Sequence, residues 1–345
     1  MKIITFFNNK GGVGKTTLGV NIAAYFSIEM KKRVLVLDGD PQANTTQMMV
    51  PEENWQELYE DEYKSIHTLH DYFTPLLQGE PGFHPGNFTM FSKENNRFKV
   101  DLIPGDPRIS VIEDIFSEAW NKSSSGKIEG FRKSNWLNII KEHYKDNYDV
   151  MFVDVGPSLG ALNRSILLNS DYIITPMGSD IFSLMAIKNI SSWIDGWKEE
   201  YNNGVVMMQK STAPYSHFPI KLDASPSSSL LGYSIQQYIT KTIKKERRPI
   251  KSYETIIKEI PQVIDESLKS LIPSKLDSEM LNLGSVPYLY SLVPLAQTSN
   301  SPIFELKGSD GVAGVQYSHV ENYKSIITSI CEKISNNMET LTNDD

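Results

Sequence analysis

One cysteine, Cys331, is present in 345 residues. A lone thiol excludes an intramolecular disulfide framework and a cysteine-bridged metal cluster within one chain. Basic residues are also in deficit: 34 Lys and Arg stand against 42 Asp and Glu, a formal charge of -8. Any contact with nucleic acid must therefore come from a local patch, not from a basic coat. No run of about 18 apolar residues occurs, so no transmembrane helix is expected. The N-terminal MKIITFF enters a glycine-rich stretch within ten residues, leaving no room for a signal or transit peptide, and a cytoplasmic protein is expected.

What is present is alternation. Ile3 to Asn8 is a short apolar run that ends at a glycine-rich turn, and Thr16 to Phe26 carries apolar residues at helical spacing. The order is strand, loop, helix. "VLVLDGD", "FKVDLIPGD", "YDVMFVDVGPS" and "SDYIITPMGSD" repeat the apolar run, each ending in Gly, Pro or Asp. Runs of this kind suit parallel strands buried on both faces, and with helices between them they predict an α/β fold, a doubly wound, mostly parallel sheet. Ligands of such sheets bind beyond the carboxyl ends of the strands, where Lys15, Asp38, Asp40 and Asp154 fall.

Residues 51–97 and 210–229 interrupt the alternation, the first rich in Glu, Tyr, Pro and Phe, the second in Pro and Ser. Both are expected to be insertions in one domain spanning 1–345. "LLGYSIQQYI" should resume the sheet, "VPYLYSLV" should supply a last strand or the loop beside it, and 316–338 a closing helix.

"FFNNKGGVGKTT" carries the chemistry. Gly14, Lys15 and Thr16 fit the end of the phosphate-loop pattern, but Asn9 stands where its first glycine belongs, beside a second lysine, Lys10. Gly11, Gly12, Val13 and Gly14 would let backbone N–H groups wrap phosphate oxygens ahead of a helix N-terminus. Lys15 would reach the β- and γ-phosphates, the Thr16 hydroxyl would bind Mg²⁺, and Thr17 could hydrogen-bond the α-phosphate.

"KGGVGKTT" resembles the deviant Walker A loop of the ParA/MinD group of P-loop ATPases. The resemblance implies that Lys10 crosses a homodimer to the nucleotide of the other subunit, acting as a cationic finger supplied in trans. "VLVLDGDPQANTT" is similar to the family's second motif, which implies Asp38 near the Mg²⁺ shell and Asp40 orienting the attacking water. "YDVMFVDVGPSLGALN" matches its Walker B region and implies Asp154 on the Mg²⁺. By the same analogy adenine lies near the end of the "GYSIQQY" strand and Pro287, where Gln236 or Gln237 could bond the base edge; capping of a strand end is the plainer role for both glutamines. After Asp154 the family usually has Thr-Pro-Pro, whereas this chain has Val155, Gly156 and Pro157. Gly156 keeps an N–H that proline lacks, either for the γ-phosphate or as a neutral turn.

"DLIPGDPRIS", "SDYIITPMGSDIFSLMAI" and "VPLAQTSNSPIFEL" look like the ParA branch. No helix-turn-helix precedes the loop, so operator reading is not expected, and the acidic "METLTNDD" is unlike the basic amphipathic tail of a membrane-recruited member. In "YITKTIKKERRPIK", Lys241, Lys244, Lys245 and Arg248 would share one face of a helix. That face either contacts phosphates of duplex DNA without reading sequence or is merely solvated. The leading expectation is an ATP- and Mg²⁺-dependent dimerising ATPase in plasmid or chromosome partition or cargo positioning, possible on the nucleoid, with an ATPase-stimulating partner of the ParB kind. An ATP switch that recruits an effector protein without touching DNA is the alternative. A metabolic enzyme on the same scaffold is the third, weakened by the lone Cys331 and by the absence of a substrate motif.

Overall fold

The computed structural model describes residues 1–211, 215–238, 240–243, 246–249 and 251–342. Nine strands and thirteen helices are described. In chain order they are β1 (Lys2–Phe6), α1 (Lys15–Ile28), β2 (Val34–Asp38), α2 (Asn44–Met49), α3 (Trp55–Tyr59), α4 (Leu69–Leu77), β3 (Asp101–Ile103), α5 (Ile112–Ser124), α6 (Ile128–Ser134), α7 (Trp136–Tyr144), β4 (Val150–Asp154) and α8 (Ala161–Asn169). There follow β5 (Tyr172–Gly178), α9 (Ile181–Gln209), β6 (Ser229–Tyr238), β7 (Thr240–Ile243), β8 (Glu246–Pro249), α10 (Lys251–Ser267), α11 (Ser278–Leu281), β9 (Asn282–Pro287), α12 (Leu292–Thr298) and α13 (Gln316–Thr342).

Seven strands form one sheet in the order β3-β2-β4-β1-β5-β6-β9, every pairing parallel. Both faces are covered, as the apolar runs require. Successive side chains alternate between the faces. Ile3, Leu35, Leu37, Met151 and Val153 pack into one apolar layer with Phe73, Trp136 and Ile187. Ile4, Phe6, Val34, Val36, Val150 and Phe152 pack into the other with Ile22, Phe26 and Ile327 of α13. The expected doubly wound sheet is thus present; the strand expected at 230–239 appears as β6, whereas of 286–293 only Val286 and Pro287 belong to a strand, the end of β9, and the rest runs as a loop into α12.

The 51–97 stretch is tied to the sheet edge. Phe91 and Leu102 exchange backbone hydrogen bonds of 2.9 Å, which blunts the exposed side of β3. Leu69, Tyr72, Phe73 and Leu76 of α4 are buried in the same layer as the strands.

The basic stretch is not the helix that its lysine spacing suggests. β7 and β8 pair antiparallel, and Lys241 and Arg248 are register partners across that ribbon. The β-branched Thr240, Thr242 and Ile243 explain the difference: they suit a pleated ladder and lose side-chain freedom in a helix. Lys244 and Lys245 lie outside the described residues.

Helix packing sets one sharp constraint. A β-carbon on Gly204 of α9 would lie on the backbone carbonyl oxygen of Ser123 in α5. Gly204→Ala should therefore lower stability by about 1–3 kcal/mol, despite the roughly 1 kcal/mol that alanine gains in a helix. Denaturant unfolding checks it; an unchanged or raised midpoint would show that α5 and α9 separate easily.

Candidate functional site

The loop after β1 is shaped by backbone geometry that only glycine adopts without strain. Gly12 has φ 72° and Gly14 φ 78°, the latter immediately before α1. No acidic side chain occupies the first turn of α1, so its N-terminal N–H groups and dipole are open to an anion. Asn8, fully buried, fixes the loop by donating to the Pro176 carbonyl at 2.8 Å and accepting from Lys10 N–H at 2.9 Å. A cleft of about 880 Å³ opens beside the loop, lined by Gly11, Gly14, Lys15, Thr16, Asp40 and Trp55 among others.

The parallel register brings the carboxylates together. β2 and β4 end level, with Asp38 and Asp154 as register partners. Asp154 Oδ2 accepts from Thr16 Oγ1 at 2.7 Å and from Thr45 Oγ1 at 2.8 Å, while its Oδ1 is buried with no hydrogen-bond partner. Burial pushes the Asp154 carboxyl up to about 6, against the hydrogen bonds from the two threonines. Asp38 is fully buried and accepts from Thr46 N–H at 2.8 Å and Thr46 Oγ1 at 2.7 Å. Burial, reinforced by the neighbouring Asp154, pushes it up to about 8. The orphaned Asp154 oxygen beside the Thr16 hydroxyl fits a hard cation, which takes oxygen donors and in such sites shares them with phosphate.

Asp40 is buried at the cleft, accepting from Gln42 N–H at 2.9 Å. Gly156 faces it: a β-carbon there would sit 3.1 Å from Asp40 Oδ1. Glycine at 156 thus keeps room for the Asp40 carboxylate, and the turn is held by Asn163, which donates to the Gly156 and Ser158 carbonyls at 2.8 and 2.7 Å.

The two lysines diverge. Lys15 is buried and donates to the Lys10 carbonyl at 3.1 Å; burial lowers its pKa, with Asp154 and Asp40 partly offsetting this. Lys10 instead sends its ammonium to Asp180 at 2.5 Å, at the start of α9. Asp180 also caps that helix, accepting from the N–H groups of Phe182 and Ser183. Burial alone would raise the Asp180 carboxyl, but the hydrogen bonds from Lys10 and Ser183 hold it below its usual range.

Gln236 and Pro287, expected at the base, lie at the carboxyl end of the β6–β9 pair. Gln236 lies two residues before the end of β6, in register with Gly178 and Val286, buried, its amide on Ser234 Oγ. Pro287 ends β9 in register with Tyr238, and Gln237 lies between Gln236 and Tyr238 along β6. The wall of the cleft beside the loop is made by Trp55 and by Gln297 and Thr298 of α12. Sequence reasoning missed Thr45, Thr46, Asn163 and Asp180. The first two lay within the "DPQANTT" motif, and Asp180 announced itself only as the acidic residue just past β5.

Comparison with known proteins agrees with this geometry. A family model described as an AAA domain matches residues 1–207. The crystal structure of protein DIP2308 from Corynebacterium diphtheriae is 33% identical, covers 87% of this chain and 97% of its own, and superposes with a TM-score of 0.70. The virulence plasmid ParA family protein pGP5-D of Chlamydia psittaci is 29% identical over 56% of this chain, which spans 63% of that relative's length. The structure of pNOB8 ParA, 22% identical, covers 100% of this chain and 99% of its own with a TM-score of 0.58, a likeness of fold. The chain belongs to the AAA-domain family of ParA-type P-loop ATPases.

Proposed function

We propose that this chain is an ATPase that dimerises on binding ATP, hydrolyses it with Mg²⁺, and acts in DNA partition or cargo positioning through non-specific DNA contact. The observation that carries the reading is the divergence of the two lysines. Lys15, Thr16 and Asp40 line one cleft, with Asp154 bonded to Thr16 at its base, whereas Lys10 points to Asp180. A cation placed beside the loop but directed away from it suits a second subunit's nucleotide. Ile181, Phe182 and Met185, all more than half exposed on the first turns of α9, offer an apolar surface next to Asp180 for that subunit.

Within this reading the loop N–H groups and Lys15 bind the phosphates, and Thr16 and Asp154, with Asp38 behind them, would hold Mg²⁺. The ion neutralises charge on the phosphate oxygens when bound. Asp40 orients the water, and Lys10 of the other copy meets the charge that develops on the transferred group. Adenine is assigned to the space between the end of β6 and Pro287, where Gln236 or Gln237 would bond the base edge, Gln236 exchanging its bond to Ser234 for one to adenine. Structures of similar fold include Cyanothece McdA in an ATP complex and pNOB8 ParA bound to nonspecific DNA, which is why both ligands are proposed here. Among the described residues no helix is long and apolar enough to cross a membrane. The cytoplasm and the nucleoid are the proposed location, with a ParB-like or other adaptor protein stimulating turnover. The effector-switch reading is kept because the 51–97 and 210–229 stretches meet on the surface, as described below.

Three outcomes are expected. Protonated Asp154 cannot serve a cation, so the affinity for Mg–ATP should fall as pH drops below about 6. Isothermal titration should show this fall flattened in Asp154→Asn; a parallel fall in both proteins would remove Asp154 from the metal site. Asp180→Asn keeps the helix cap but releases Lys10, and should tighten the ATP-dependent dimer about two- to fivefold in sedimentation, since an ion pair whose side chains are 30% and 38% exposed is worth at most about 1 kcal/mol. A weaker dimer would contradict a parked lysine. Asp40→Ala loaded with Mg–ATP should bind random duplex DNA with a log–log salt slope near about −4, reduced by about 2 in a Lys241→Glu, Arg248→Glu double variant. A dimer that ignores DNA favours the effector switch.

A further inference from the structure

The two stretches that interrupt the strand–helix alternation converge on one cavity. It measures about 510 Å³, within the range of about 300–1,000 Å³ typical of small-molecule sites. Phe83 and Phe88 come from the first stretch, Phe218 and Ile220 from the second, and Arg132 of α6 and Ile139 of α7 close the space between them. No residue that lines it also lines the cleft beside the phosphate loop.

The walls are built independently of any ligand. Buried Tyr72 stacks on Phe88 at 4.3 Å and meets Phe83 edge-on at 5.8 Å, fixing the first wall. The second wall is pinned where it leaves the cavity. Lys221 N–H donates to Asn135 Oδ1 at 3.0 Å, and the Lys221 ammonium donates to Ser227 Oγ at 2.7 Å and the Leu168 carbonyl at 3.1 Å. Asn135 is itself buried and bonded to Tyr201. Preformed walls of this kind reduce the ordering cost of binding.

The polar chemistry of the lining is uneven. The Arg132 guanidinium lies 3.9 Å from the Phe218 ring centroid, and no carboxylate among the described residues pairs with it. Stacking occupies the face of the guanidinium and leaves its N–H edge for a bidentate acceptor. His84 and His217 add donors, and Glu80 is the single carboxylate among the lining residues. One unpaired cation over an aromatic floor, with one acidic neighbour, selects a monoanion with a flat apolar body over a polyanion. We propose that this cavity binds a small aromatic carboxylate, its ring against Phe83, Phe88 and Ile139 and its carboxylate on Arg132.

The test is a fluorine NMR titration of the full chain with 4-fluorophenylacetate, using the neutral 4-fluorophenylacetamide as its partner probe. The acid should bind saturably, survive the addition of excess ATP, and lose about tenfold in affinity on Arg132→Gln or on replacement by the amide. ATP binding and thermal unfolding of Arg132→Gln serve as fold controls. If that variant does not fold, the acid and amide compared on the unaltered chain decide the matter. Absence of saturable binding, displacement by ATP, or equal affinity of acid and amide would overturn the proposal.

Discussion

Asp38 and Asp154 end adjacent parallel strands as register partners, so two carboxylates are buried side by side where the sheet meets the phosphate loop. Among the described residues neither has an ion-pair partner, and both are held above the usual carboxylate range by burial. Left alone, this arrangement is costly. The surrounding residues are placed to relieve it: Thr16 and Thr45 donate to Asp154, and Thr46 donates to Asp38 through both its N–H and its hydroxyl. Gly105 is forced to be glycine by the same crowding, since a β-carbon there would lie 2.7 Å from the Asp38 carboxyl carbon. Two carboxyl groups buried next to an anion-binding loop are the feature on which the proposed ATP–Mg²⁺ site rests, since a cation between them would favour their charged forms.

Much of this was legible in the sequence because parallel sheets write themselves as continuous apolar runs. "VLVLD" and "VMFVD" are fully buried strands, and the acidic residue that ends each falls at the carboxyl edge. The glycine spacing around Lys15 fixed the loop, and the two left-handed glycines show why. What stayed hidden was long-range. Nothing local to Asp180 shows that it would meet Lys10, 170 positions away, and nothing local to Gln297 shows that it would wall the cleft beside Trp55.

The basic stretch shows the opposite limit. Lysines and arginine at helical offsets also fit a strand pair when β-branched residues stand between them, and a short segment does not distinguish the two periods. The ribbon of β7 and β8 results, and Lys241 comes opposite Arg248. The pairing sets those two positions in cross-strand register and not along a helix face.

The central claim is that each phosphate site is completed by Lys10 of a second copy. On the proposed mechanism Lys10→Ala and Asp40→Ala would each lack one required part, but in a mixed dimer the Lys10→Ala subunit would keep Asp40 and receive Lys10 from its partner. Mixing the two inactive proteins and measuring ATP turnover is the most direct test. Recovery of activity on mixing, from a background reduced on the order of 10³-fold in each alone, is the predicted result. No recovery while mixed dimers form, or a Lys10→Ala protein that hydrolyses ATP normally by itself, would contradict the account.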